Sequence, residues 1–301
     1  MKLRHIAIFG IIAFACLWYP GDHYLLSRAH TYEAPIITTV TSHPVPFVRP
    51  VVTPPALSAE GVYVVDIPSW TPLLSKNIHT KMYPASTAKM VTALTVRKHF
   101  KVDDIITVKT ATDEGQIMDL KPGERLTVEN LLYGMLVPSA NDAAFAFVGA
   151  SGGFAQWMSQ INETAQSLGM QDSYFTNPAG LDEPDMRTTP RDLAFAARAL
   201  IQDKYLKRMV STKSITILDE DYRYTHELTN VNQLLGVIEG LGGVKTGFTE
   251  GAGQNLVSYY HQPGTDHEYI IVVMKSKDRF KDTQDIVTWL TPAVEYVETD
   301  K

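Results

Sequence analysis

Ser86 and Lys89 stand three residues apart in the run Pro84-Ala85-Ser86-Thr87-Ala88-Lys89. Residues at i and i+3 share one helix face, so on a first helical turn the lysine amine reaches the serine hydroxyl. A serine hydroxyl is a poor nucleophile without a base. A lysine with its ordinary pKa near 10.4 is neutral at pH 7 in only about one molecule in 2,000. Poising it near neutrality takes about three pKa units, or ~4 kcal/mol of differential destabilisation of its charge. A second buried cation supplies part of that and burial the rest; Lys245 is the candidate cation.

Two further clusters follow in order: Ser139-Ala140-Asn141 and Lys245-Thr246-Gly247. Ser139 can relay a proton between the lysine pair and a leaving group. Asn141 can hold Lys89 and a substrate amide. Ser86 at a helix N-terminus lies beside free N–H groups that favour a developing oxyanion. Lys245 and Thr246 offer a cation and a hydroxyl to a carboxylate, and Gly247 at a strand end lets a ligand backbone come close. One S-x-x-K arises by chance roughly once in a chain of this length; the ordered set of three carries the information. Asp142 reads as a capping or structural acid.

These residues need elements to hold them. The pattern predicts a strand at Val62–Val65 and a helix from Ser86 to about Lys98, with Met90, Val91 and Leu94 on its buried side. Thr127 caps a helix through Leu136, Pro138 ends that segment, and Ser139 falls in a loop. Further helices are expected over Asn141–Ala150 and Phe154–Leu168, and one starts at Thr189-Pro190-Arg191-Asp192. Strands follow at Gly243–Thr246, Asn255–Tyr260 and Tyr269–Met274, then a closing helix over Asp282–Leu290. Strands near both ends with helices between them imply one sheet built from both ends of the chain.

The chain has 301 residues, 45% apolar and 20% charged, with a formal net charge of −6. That composition suits a folded domain and gives no sign of nucleic-acid binding. Cys16 is the single cysteine, so no intramolecular disulfide forms. Lys2, Arg4 and His5 precede an apolar run from Ile6 to Tyr19. As a helix it is roughly 21 Å long against a ~30 Å hydrocarbon core, so residues 1–19 read as a signal peptide or an N-terminal membrane anchor. Ala13-Phe14-Ala15 favours cleavage, Trp18-Tyr19 favour an interfacial anchor, and both readings stay open. Seven of the 17 prolines lie in residues 20–55, read as a Pro-rich linker in which proline forbids a regular ladder. The folded domain is expected over 56–301.

Beyond the three clusters, the chain resembles the D-alanyl-D-alanine carboxypeptidases, the low-molecular-mass penicillin-binding proteins, over about residues 56–290. Pro84 to Met90 matches the first motif in its setting. Leu131-Leu132-Tyr133-Gly134-Met135-Leu136 with Ser139 to Ala144 matches the second. Phe175-Thr176-Asn177-Pro178-Ala179-Gly180-Leu181 is a further family stretch, and Gly243 to Thr249 matches the third. The resemblance implies a β-lactamase/transpeptidase-like α/β (α+β) fold, with a mostly antiparallel sheet flanked by helices and a helical subdomain. It implies that Ser86 is acylated, that Lys89 deprotonates it, and that Ser139 and Asn141 line the second wall. Lys245 and Thr246 would bind the substrate carboxylate, with Gly247 beside them, and Arg279 matches the family's carboxylate-binding arginine. The N–H groups of Ser86 and Phe248 would form the oxyanion hole. The family's C-terminal β domain and amphipathic anchor have no counterpart, so the N-terminal segment would serve as anchor.

The expectation is a serine D,D-carboxypeptidase in the cell envelope, outside the cytoplasm. It would remove the terminal D-Ala from peptidoglycan stem peptides and take β-lactams as covalent inhibitors, with no metal or organic cofactor and no nucleic acid. The alternatives are a D,D-endopeptidase of the same mechanism, a β-lactamase, and a non-catalytic wall-binding protein. Glu163 and Glu183 lack the E-x-x-L-N setting of class A β-lactamases, which disfavours fast β-lactam hydrolysis.

Overall fold

A computed structural model describes residues 44–297. In chain order the elements are β1 (Val45–Val48), β2 (Gly61–Asp66), β3 (Pro72–Lys76), a 3-10 turn at Ala85–Ala88, α1 (Lys89–His99), β4 (Ile105–Thr107), β5 (Arg125–Thr127), α2 (Val128–Leu136), α3 (Asn141–Ala150), α4 (Phe154–Ser167), α5 (Pro190–Gln202), α6 (Lys204–Val210), β6 (Ser214–Leu218), β7 (Thr225–Thr229), β8 (Leu241–Thr249), β9 (Gly253–His261), β10 (Glu268–Ser276), α7 (Arg279–Ala293) and β11 (Val294–Val297). The expected signal or anchor segment and the linker up to residue 43 lie outside the described residues.

Period-two alternation divides the interior into two cores. Five strands pair antiparallel in the order β3-β2-β10-β9-β8. On one face Val62, Val64, Leu256, Tyr269, Ile271 and Val273 pack with Ile286, Trp289 and Leu290 of α7. On the other, Tyr63, Val65, Val257, Ile270, Val272 and Met274 join the larger helical core of α1–α5. The α+β class and the sheet drawn from both ends of the chain are as expected. β2 is buried on both faces along its whole length, which explains its unbroken apolar run.

The capping signals hold. Thr127 Oγ1 accepts from the Asn130 N–H at 3.1 Å and Thr189 Oγ1 from the Asp192 N–H at 3.1 Å, each satisfying a free donor of the first turn. Several elements had no clear sequence signal. The β6–β7 hairpin is half exposed and carries polar residues, and the β4–β5 strands are only three residues each. One expectation is corrected. Residues 45–48, placed in the linker, form β1 and pair antiparallel with β11, Pro46 opposite Tyr296. Alternate residues of a two-stranded ribbon turn their N–H groups away from the partner, so an edge strand accommodates a proline there.

Candidate active site

Ser86 lies in the 3-10 turn, and α1 proper opens only at Lys89. This refines the expected α-helical start, and it tightens the geometry. With three residues per turn, positions i and i+3 eclipse each other, which sets the Lys89 amine directly against the Ser86 hydroxyl, Nζ to Oγ 2.8 Å. The turn is held from several sides. Thr87 Oγ1 donates to the Pro84 carbonyl at 2.6 Å. Asn255 Nδ2, from β9, donates to the Tyr83 and Pro84 carbonyls at 3.0 Å each. Ala85 sits at φ +48°, a sparsely populated region for a residue with a Cβ.

Lys89 is fully buried. Its Nζ also faces Asn141 Oδ1 at 2.6 Å and the Ala179 carbonyl at 3.0 Å. Burial drives its pKa well below the ordinary lysine value, the Lys245 charge pushes the same way, and Asp142 opposes them. The physical demand set by the sequence, a lysine stripped of its proton by burial and a neighbouring cation, is therefore met in that order of size. Lys245 is itself buried in β8 and lowered to about 7, by burial first and the Arg279 charge second.

Asn141 opens α3 and is fixed on three sides. Its N–H donates to the Gln116 carbonyl at 2.6 Å and its Nδ2 to the Glu114 carbonyl at 2.7 Å, which turns Oδ1 toward Lys89. Ser139 occupies the tight loop between α2 and α3 at φ +71° and is almost fully buried. Asp142 accepts from the N–H groups of Met118, Leu120 and Ala143, so it is a structural acid for the 114–120 segment.

Gly247 is needed for a reason the sequence reading had assigned elsewhere. A Cβ there would stand 3.0 Å from Ala85 Cβ and 3.0 Å from the Ser86 backbone nitrogen; the close approach is by the nucleophile turn itself. Gly243 similarly lets β8 pass α6, since its Cβ would meet the Val210 carbonyl oxygen at 2.1 Å. Thr246 is buried beside Lys245, and the Phe248 side chain is exposed. Arg279, at the start of α7, donates from Nη1 to the Gly247 carbonyl at 2.6 Å. The candidates thus converge: Ser86, Lys89 and Asn141 touch directly, and β8 with Arg279 closes against Ser86.

Sequence reasoning missed the frame behind Ser86. Asn177 Oδ1 accepts from the N–H groups of Ala179, Gly180 and Leu181, folding a loop that aims the Ala179 carbonyl at Lys89. The resemblance marked this stretch, but its target was not legible in the sequence. Asp182 then accepts from Thr249 Oγ1 and the Gly251 N–H, tying that loop to the end of β8.

Comparisons with known proteins agree with this architecture. The profile described as D-alanyl-D-alanine carboxypeptidase matches residues 49–278. The chain is 31% identical over 257 residues to D-alanyl-D-alanine carboxypeptidase DacD of Salmonella typhimurium, covering 78% of this chain and 63% of that protein. It is 31% identical over 254 residues to DacC of Escherichia coli, covering 78% and 62%. The chain therefore spans less than two thirds of the length of these relatives. Among solved structures, the Streptomyces K15 DD-transpeptidase superposes with a TM-score of 0.74 at 26% identity, covering 80% of this chain and 100% of that one. Penicillin binding protein 6B of Escherichia coli gives 0.72 at 29%, covering 83% and 82%. With a family profile matching most of the chain and solved family folds superposing on its sheet and helices, the chain belongs to the D-alanyl-D-alanine carboxypeptidase family.

Proposed function

We propose that this protein is a serine D-alanyl-D-alanine carboxypeptidase, removing the terminal D-Ala from peptidoglycan stem peptides through an acyl-enzyme on Ser86. The observation that carries this reading is the 2.8 Å contact between Ser86 Oγ and the buried Lys89 amine. In the neutral state that burial favours, Lys89 takes the serine proton as Oγ attacks the scissile carbonyl. The oxyanion is received by the N–H groups of Ser86 and Phe248; losing one such donor typically costs ~3–4 kcal/mol of barrier. Ser139 passes the proton to the leaving amine, and Asn141 holds Lys89 and the substrate amide. Lys245, Thr246 and Arg279, beside Gly247, bind the terminal carboxylate, and water then releases the acyl group. β-Lactams acylate the same serine.

The reading places the domain outside the cytoplasm, carried by residues 1–19 as signal or anchor; among the described residues no helix is long and apolar enough to cross a membrane. The test is D-Ala release from a stem pentapeptide, with a crosslinked peptide dimer as competitor substrate. Release from the pentapeptide alone supports the carboxypeptidase. Cleavage of the dimer alone would replace it with the endopeptidase.

A further inference from the structure

Between β4 and β5 the chain runs through residues 108–124 without regular secondary structure. Its middle, residues 114–120, is the segment that grips the catalytic helix α3. The Glu114 and Gln116 carbonyls hold Asn141, and the Met118 and Leu120 N–H groups are held by Asp142. With no ladder of its own, this strap takes its position from side-chain anchors.

One anchor comes from the opposite side. His226, on β7, places Nδ1 2.9 Å from the Met118 carbonyl and Nε2 2.5 Å from Glu124 Oε1. Glu124 is fully buried, His226 is 8% exposed, and Glu124 Oε2 accepts from the Lys121 N–H at 2.9 Å. A carbonyl oxygen cannot donate, so Nδ1 carries a proton and donates to Met118. The second contact then holds one shared proton, on Nε2 or on the carboxyl. Met118 is thus clamped through both of its backbone polar groups, the N–H by Asp142 and the carbonyl by His226. A buried acid–imidazole pair is costly to keep where apolar packing would serve.

We propose that His226, oriented by Glu124, is a positioning residue for acylation: it fixes the 114–120 strap, and through Asn141 it fixes the Lys89 amine against Ser86. The inference rests on the acyl-enzyme reading above. Displacing a catalytic group by about 1 Å can cost on the order of 100-fold in rate, and the strap touches Asn141 at both of its donors.

The test is pre-steady-state acylation of the full chain by a fluorescent penicillin, separating the noncovalent dissociation constant from the acylation rate constant. His226→Asn keeps a donor near the Nδ1 position, facing Met118. His226→Gln keeps one near the Nε2 position, facing Glu124, and His226→Phe keeps neither. The expected result is acylation within roughly 3-fold of wild type for His226→Asn and a loss of roughly 10–100-fold for His226→Gln and His226→Phe, with little change in noncovalent affinity. Wild-type rate in His226→Gln, or His226→Asn as slow as His226→Gln, overturns the proposal. If His226→Phe does not fold, the Asn/Gln contrast decides alone. A wild-type chain that is not acylated sinks the acyl-enzyme reading instead.

Discussion

Lys89 and Lys245 illustrate how two residues of one type divide labour by environment. Lys89 is pressed toward neutrality beside Ser86, the proposed nucleophile, so acylation should fall as pH drops through its lowered pKa. Lys245, lowered to about 7, carries charge mainly at and below that pH. The sign of the stability effect follows from proton counting. Between about 7 and the unfolded value near 10.4 the unfolded chain binds a proton that the folded chain lacks. Stability therefore rises with pH across that window, and the cost of burying Lys245 is full below it. Lys245→Met should raise stability at pH 7 by about 1–4 kcal/mol, a gain that shrinks toward pH 10. The same change removes a charge that lowers the Lys89 pKa, so the acid limb of acylation should move to higher pH. Melting curves at pH 7 and 10, with a pH profile of penicillin acylation, check both. A variant no more stable at pH 7 than wild type contradicts the burial account.

At the scale of elements, the nucleophile turn depends on a loop that follows it by nearly a hundred positions. Gly180 sits at φ +87°, and a Cβ there would stand 1.8 Å from the Ala85 carbonyl oxygen. Gly180→Ala should cost roughly 2–4 kcal/mol and slow acylation, read by thermal melting and adduct formation. Asn177→Ala strips an acceptor from three N–H groups and should destabilise by roughly 2–3 kcal/mol, with acylation reduced because the Ala179 carbonyl loses its aim. These couplings explain what the sequence could reveal. Ser86 and Lys89 were legible because their contact is local, set by spacing along one turn. Thr127 and Thr189 were legible as caps for the same reason. The Asn255 grip on the turn, the Ala179 carbonyl at Lys89 and the His226–Glu124 anchor join segments far apart in sequence, and no periodicity encodes them. Gly247 was visible as a backbone needing space, but only packing reveals that the Ser86 turn fills it.

Across the described residues, the central sheet separates the helical core behind Ser86 from the β1–β11 ribbon. The nucleophile turn joins the helical core through Ala88, whereas α7 and the β1–β11 ribbon cover the opposite face, where Val48 and Val52 pack. Asp282 of α7 binds Ser58 and Ala59 at the entry to β2 and Ser276 at the end of β10, fastening that cover. The short apolar, β-rich runs of β2, β9 and β10 made the sheet legible. β1 was hidden because Pro46 and the flanking Pro44 and Pro50 speak for extended, unpaired chain, and only its partner β11 turns that extension into a ribbon. A chain beginning at residue 56 lacks β1 and should melt roughly 4–8 °C lower, about 2 kcal/mol, while acylating at the full rate. Equal melting points would deny the ribbon a structural role.

The measurement that reaches the central claim most directly is the intact mass of the full chain after exposure to a penicillin, with Ser86→Ala alongside. The expected result is a one-to-one covalent adduct on the wild-type chain and none on Ser86→Ala. A folded wild-type chain that gains no mass, or a Ser86→Ala chain that gains as much, would contradict acylation at Ser86.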